Sequence, residues 1–353
     1  MMRLVLLLTL IVAPAAAQPR SAFLAETTEI EAPDDITSEA FLRHFERVGR
    51  WDFAPDVIIA NWNSVAFGPD GTLLALDLAA NVTQLFDPRG NLVAEPDLAA
   101  CEPGFDGQLS KGVFLGDGSF LVLPSGGVPA FRFDPDGTCA GRFDYGNYLP
   151  LYVAPLGDNL LTVRRLPPDM RLEERSADGE LVRTLGLFPR FANLNGMIPG
   201  GGLHVAPDGR IYFGQTATME YAVFDSAGRE AGTIGEAPSY FRGIERDAES
   251  PSSAFAEYMG RISRQNSIRV RSFLLGGDKL VSLIDNGYET QSSDRRFGLV
   301  VLGIDGTVLT REAVFLPSSV TFVGALEDLL FRLVVPETLG EPYLVLYRFK
   351  DRS

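Results

Sequence analysis

Of the side chains that most often carry chemistry, this chain of 353 residues holds two histidines, two cysteines and three lysines. A serine nucleophile needs an imidazole within hydrogen-bonding reach to take its proton, so a Ser-His-Asp triad would have to use His44 or His204. No Gly-x-Ser-x-Gly elbow occurs in the sequence, and without that strained strand-to-helix turn triad chemistry is not expected. Hard oxygen ligands are more plentiful. Asn63, Asn193, Asn195, Asn266 and Asp285 could donate to a divalent cation such as calcium, which gathers amide and carboxylate oxygens. Their spacing follows no metal-ligand pattern, so no cofactor is expected, and a metal-dependent hydrolase, lactonase or lyase is the alternative reading. Cys101 and Cys139 have neither a CxxC motif nor histidines at zinc spacing. A disulfide between them is their candidate role in an oxidising compartment.

The elements that would position such residues announce themselves by turns. Pro69-Asp70-Gly71, Gly116-Asp117-Gly118, Gly157-Asp158-Asn159, Pro207-Asp208-Gly209 and Gly276-Gly277-Asp278 each break an apolar run, and a degenerate Leu326-Glu327-Asp328 follows. Second turns such as Phe86-Asp87-Pro88-Arg89-Gly90 come one hairpin later, and Gly71 to Gly90, Gly118 to Gly137 and Gly209 to Gly228 are each 19 residues apart. Two turns per period of roughly 40 to 50 residues mark a four-stranded propeller blade. The expected fold is therefore all-β, a six-bladed β-propeller of four-stranded antiparallel blades. The blades fall at about 57–95, 109–144, 150–186, 201–235, 267–312 and 319–349. The sixth unit supplies only three strands, so the ring needs one from the N-terminal side. Residues 41–48 are the expected donor, because Arg47-Val48-Gly49 resembles the blade-final Thr184-Leu185-Gly186 and Thr233-Ile234-Gly235. A helix competes for the same residues, with Leu42, Phe45 and Val48 at helical spacing behind the caps Thr37 and Ser38.

Arg3, the apolar run 4–12 and Ala15-Ala16-Ala17 have the pattern of a secretory signal peptide cleaved after Ala17. The run is shorter than the roughly 20 residues that span a bilayer, so no membrane span is expected and the protein is read as periplasmic or secreted. An extension over 18–40 then precedes the propeller at 41–353. A formal net charge of −15 repels nucleic acid and anionic membrane surfaces, which disfavours both as partners, and no nucleic-acid partner is expected.

The first blade, Ser64-Val65-Ala66-Phe67-Gly68-Pro69-Asp70-Gly71 through Leu76-Asp77 to Val82-Thr83-Gln84-Leu85-Phe86-Asp87-Pro88-Arg89-Gly90, resembles an NHL-type repeat. The fourth blade matches in outline, with Gly214 where Asp77 stands, and the others match at the turns. The resemblance implies the secreted bacterial six-bladed propellers related to NHL proteins, and it implies no particular activity, since propellers host many functions. Ligands of such rings sit at the central channel, lined by the innermost strands. Counting seven residues back from each first-turn glycine or its equivalent gives Ser64, Lys111, Tyr152 and Gly202, and the less regular fifth and sixth units offer Arg271 and Thr321. With Asn63 and His204 beside them, the channel candidates are Asn63, Ser64, Lys111, Tyr152, His204 and Arg271. Lys111 and Arg271 would make a cationic spot for a small anionic ligand or an acidic peptide; the competing reading pairs each with a local carboxylate or turns it to solvent. The expected function is a scaffold that binds a protein, peptide or small ligand without a catalytic motif, with the loops 187–200 and 236–266 as further contact surfaces.

Overall fold

The structure, a computed structural model, describes residues 36–54, 57, 62–77, 79–124, 130–143, 152–166, 169–188, 200–244, 264–290, 293–310, 312–336 and 341–350. The leader pattern at 1–17, residues 18–35, the pair Asn193 and Asn195 and most of the two long loops lie outside these residues.

Six antiparallel sheets of four strands form the ring. The innermost strands are β2 (Trp62–Phe67), β6 (Leu109–Phe114), β10 (Tyr152–Leu156), β14 (Gly202–Val205), β18 (Ser267–Leu275) and β22 (Thr321–Leu326), and each contacts the next, with β22 returning to β2. The turns do what their composition requires. Gly71, Gly118 and Gly209 have φ of 85°, 83° and 81°, a region in which a side chain would be strained. Asp70 Oδ1 accepts the Thr72 amide at 3.0 Å to close the first of them.

Strands in the middle of the blades read as near-continuous apolar runs because each blade is covered on both faces. In β3 (Leu73–Asp77) all five residues are buried. Leu73 and Ala75 pack toward blade six, whereas Leu74 and Leu76 pack toward blade two. Six apolar clusters result, one at each blade interface.

The N-terminal segment closes the ring. β1 (Phe45–Asp52) pairs antiparallel with β24 (Tyr343–Phe349) as the outer strand of blade six. The donor lies four residues beyond the expected 41–48, because α1 (Glu39–His44) takes the first part of that segment. Ser38 caps this helix, accepting the Phe41 amide at 3.4 Å, and Glu39 sits in its first turn with Arg43 and His44 in its last, the order the helix dipole favours. Phe41 and Phe45 stack at 4.7 Å within the blade five–six core. Helix and strand are thus successive.

The outer strand of blade five also differs from the reading. Turn spacing places that strand just after Asp305-Gly306, yet there the described residues 307–310 contribute one isolated bridge, Leu302 with Val308, and the paired strand is β21 (Val314–Leu316). Val314 and Leu316 are fully buried, so apolar burial fixes the strand later in the chain than turn spacing suggests. Blade five accordingly runs to Leu316.

Cys101, at the end of α2 (Leu98–Cys101), is disulfide-bonded to Cys139, the first residue of β9 (Cys139–Phe143), with Cα atoms 5.5 Å apart. The bond ties the connector after blade one to the outer strand of blade two.

Candidate ligand site at the central channel

Five of the six candidate residues share a pattern: each lies on an innermost strand and reaches the blade that follows. Ser64 Oγ of blade one accepts the Gly112 amide of blade two at 3.2 Å. Lys111 of blade two holds its ammonium 4.8 Å from the centre of the Tyr152 ring in blade three. Tyr152 in turn places its hydroxyl 3.2 Å from Thr216 Oγ1, just past β15 (Ile211–Gly214) of blade four. His204 Nε2 of blade four is 2.8 Å from Ser272 Oγ of blade five. Arg271 of blade five donates to the Phe322 carbonyl of blade six at 2.8 Å. The sixth seam is apolar, with Phe67 and Phe331 rings 4.5 Å apart. Here the inner position is Gly324, where a methyl would stand 2.9 Å from Phe67, and Thr321 is exposed. Asn63 is the extra residue at the β2 bulge between Trp62 and Ser64.

These environments shift the ionisable groups. Burial lowers the Lys111 ammonium to about 8, although the side chain keeps partial solvent access. Burial also lowers the Arg271 guanidinium, and it raises the Tyr152 phenol to about 12 against the opposing Thr216 hydrogen bond. His204 is lowered to about 4, first by burial and then by the charge of Arg269. At neutral pH the channel therefore presents a lysine that gives up its proton readily, a fixed arginine cation and a neutral imidazole.

Arg269 is fully buried. Its guanidinium lies 4.1 Å from the Tyr221 ring centre and donates to the carbonyls of Met219 at 2.6 Å, Gln215 at 3.1 Å and Glu220 at 3.4 Å. Arg269, Thr216 and Ser272 are absent from the sequence-derived set for a geometric reason. Strict alternation puts residues 269 and 271 on one face, but the register shifts between Arg269 and Arg271, and a bulge turns the two arginines to opposite neighbours. Arg269 clamps blade four while Arg271 reaches blade six.

Two of the oxygen-ligand candidates, Asp285 and Asn266, are engaged elsewhere. Asp285 forms a two-point ion pair with Arg296 at 2.7 and 2.8 Å, and burial nonetheless raises its carboxyl. Asn266 donates its amide to the Gly243 carbonyl at 2.9 Å. Among the described residues no group of three or more His, Cys, Asp or Glu side chains gathers as a metal site would.

No protein-family model matches the chain, and no curated protein matches its sequence. Solved structures do resemble it. The chain is similar to a candidate exported protein of Bacteroides fragilis, with a TM-score of 0.59 and 11% identity over 90% of this chain and 98% of that one. A member of the DUF4221 family from Bacteroides vulgatus gives a TM-score of 0.57 and 11% identity over 87% and 98%. The PQQ-bound aldose sugar dehydrogenase of Streptomyces coelicolor gives 0.51 and 9% over 87% and 98%. Identities this low establish the six-bladed ring and nothing about its chemistry. The NHL-type likeness remains one of strands and turns.

Proposed function

We propose that the protein is an exported propeller that binds a small anionic ligand, or the acidic end of a peptide, at its central channel. Lys111 and Arg271 supply the charge, and Ser64, Tyr152 and His204 supply polar and aromatic surroundings. The observation that carries this reading is the placement of two cations on innermost strands of blades two and five, three places apart in a ring of six. Each has lost enough water for burial to lower its pKa. An anion bound beside such a cation replaces the missing hydration and interacts more strongly than it would in bulk water. Export is supported by the leader pattern at 1–17 and by the disulfide, a bond that persists outside the reducing cytosol. Among the described residues no helix is long and apolar enough to cross a membrane.

A thermal-shift screen against small carboxylates, sulfonates, phosphates and acidic peptides tests the reading. A ligand at about 100 times its Kd adds about 2.7 kcal/mol of stability, a shift of several degrees for a domain of this size. Lys111→Ala and Arg271→Ala should each remove most of that shift relative to their own unliganded Tm. Ligand shifts that survive both substitutions would rule the channel out as the anion site.

A further inference from the structure

We propose that Ser272 is a nucleophile with His204 as its general base, giving the channel slow acyl-transfer activity toward small esters. The two side chains come from facing strands of different blades and meet at 2.8 Å between Nε2 and Oγ, the separation at which an imidazole can take a hydroxyl proton. The backbone is built to allow the meeting. At the inner position where blades one, two, three and five carry Ser64, Lys111, Tyr152 and Arg271, blade four has Gly202. A methyl on Gly202 would overlap Ser272 Oγ and stand 2.7 Å from His204 Nε2. Holding blades four and five together does not require the pair, because Arg269 already spans that interface through three carbonyls and an apolar cluster fills it. His204 keeps partial exposure while Ser272 is 9% exposed. Burial and the Arg269 charge keep the imidazole neutral at physiological pH; the same two effects oppose the imidazolium that the step forms, so the base is weak and the chemistry slow.

In the reaction, Ser272 Oγ bonds to the ester carbonyl carbon and its proton passes to His204 Nε2. The tetrahedral adduct collapses by breaking the bond to the alcohol oxygen, which takes the proton from the imidazolium and leaves as the alcohol. Water then attacks the acyl-serine with His204 again taking a proton, which releases the acid and restores the serine. Among the described residues no carboxylate hydrogen-bonds to the imidazole, and loss of that orienting partner costs such sites about 10⁴-fold in kcat. Single-turnover labelling is therefore the readout. In it a serine–phosphorus bond forms, fluoride leaves and His204 takes the proton.

The test uses the full chain and a neutral alkyl fluorophosphonate, with intact mass and peptide mapping on wild type, Ser272→Ala and His204→Gln. The expected result is one adduct, on Ser272, that is absent from Ser272→Ala and forms at least tenfold more slowly in a folded His204→Gln. The charge that acts on His204 is that of Arg269 on β18, and its cross-strand partner is Tyr212 on β15; an arginine and a tyrosine do not titrate near neutrality. Labelling should thus change less than twofold between pH 5.5 and 7.5. No adduct on Ser272 in wild type at saturating reagent, or an unchanged rate in His204→Gln, would overturn the proposal. Should His204→Gln not fold, the mapped site in wild type and its loss in Ser272→Ala decide the matter. A neutral reagent needs neither Lys111 nor Arg271, so failure here leaves the anion-binding reading standing.

Discussion

Replacing Lys111 by methionine should stabilise the fold while abolishing anion binding. The folded protein holds this ammonium at about 8, below its ordinary 10.5, and burial is the cause. At 1.36 kcal/mol for each tenfold change in the protonation equilibrium, keeping the charge inside costs at most about 3 kcal/mol at pH 7. Partial solvent access reduces that figure, and methionine forfeits the contact with the Tyr152 ring, about 0.5–1 kcal/mol. A net gain of about 1–2 kcal/mol remains for Lys111→Met at pH 7. The sign with pH follows from linkage. Between about 8 and 10.5 the unfolded state binds more protons than the folded one, so wild-type stability rises with pH in that window and the variant's advantage shrinks. By pH 9.5 it should be less than half its value at pH 7. Urea unfolding of both proteins at pH 7.0 and 9.5 measures the difference directly. A variant no more stable than wild type at pH 7, or an advantage that does not fall by pH 9.5, would refute the argument that Lys111 is held charged against its surroundings.

Two further outcomes follow from the fold. The disulfide closes a loop with a sequence separation of 38, so Cys139→Ser or reduction should cost up to about 4 kcal/mol on the chain-entropy estimate, read as a lower urea midpoint. Deleting the chain through Asp52 removes the outer strand of blade six and leaves β24 as an open edge beside the exposed faces of Leu344 and Leu346; increased dye binding and aggregation by size-exclusion chromatography are expected, and a monomer with a cooperative transition would contradict the closure mechanism.

The ring was legible because its signals are local. Gly71, Gly118 and Gly209 occupy backbone conformations that other residues avoid, and their spacing counts blades without any knowledge of contacts. The same count reaches Ser64, Lys111 and Tyr152 on the innermost strands, since it depends only on hairpin length. What the pattern missed depends on competition or on bulges. A capped helix at Glu39–His44 displaced the closing strand to Phe45–Asp52. Burial of Val314 and Leu316 overrode the turn at Asp305-Gly306 in setting the outer strand of blade five. The bulge at Val270 separated Arg269 from Arg271, and no period in the sequence records it. His204 was visible as an inner-strand residue, but Ser272 is its neighbour only through the packing of two blades.

The central claim is that an anion binds beside the half-buried Lys111, and proton uptake tests it most directly. Calorimetric titration with the tightest non-titrating sulfonate or carboxylate, in buffers of different ionisation enthalpy, gives the number of protons taken up on binding. Without ligand, Lys111, at about 8, is half protonated at pH 8 and almost fully protonated at pH 6. A neighbouring anion should raise it, so about half a proton should be taken up at pH 8 and none at pH 6, with the pH 8 uptake lost in Lys111→Ala. Binding with no proton uptake at pH 8, or uptake unchanged in Lys111→Ala, would place the anion elsewhere and contradict the account.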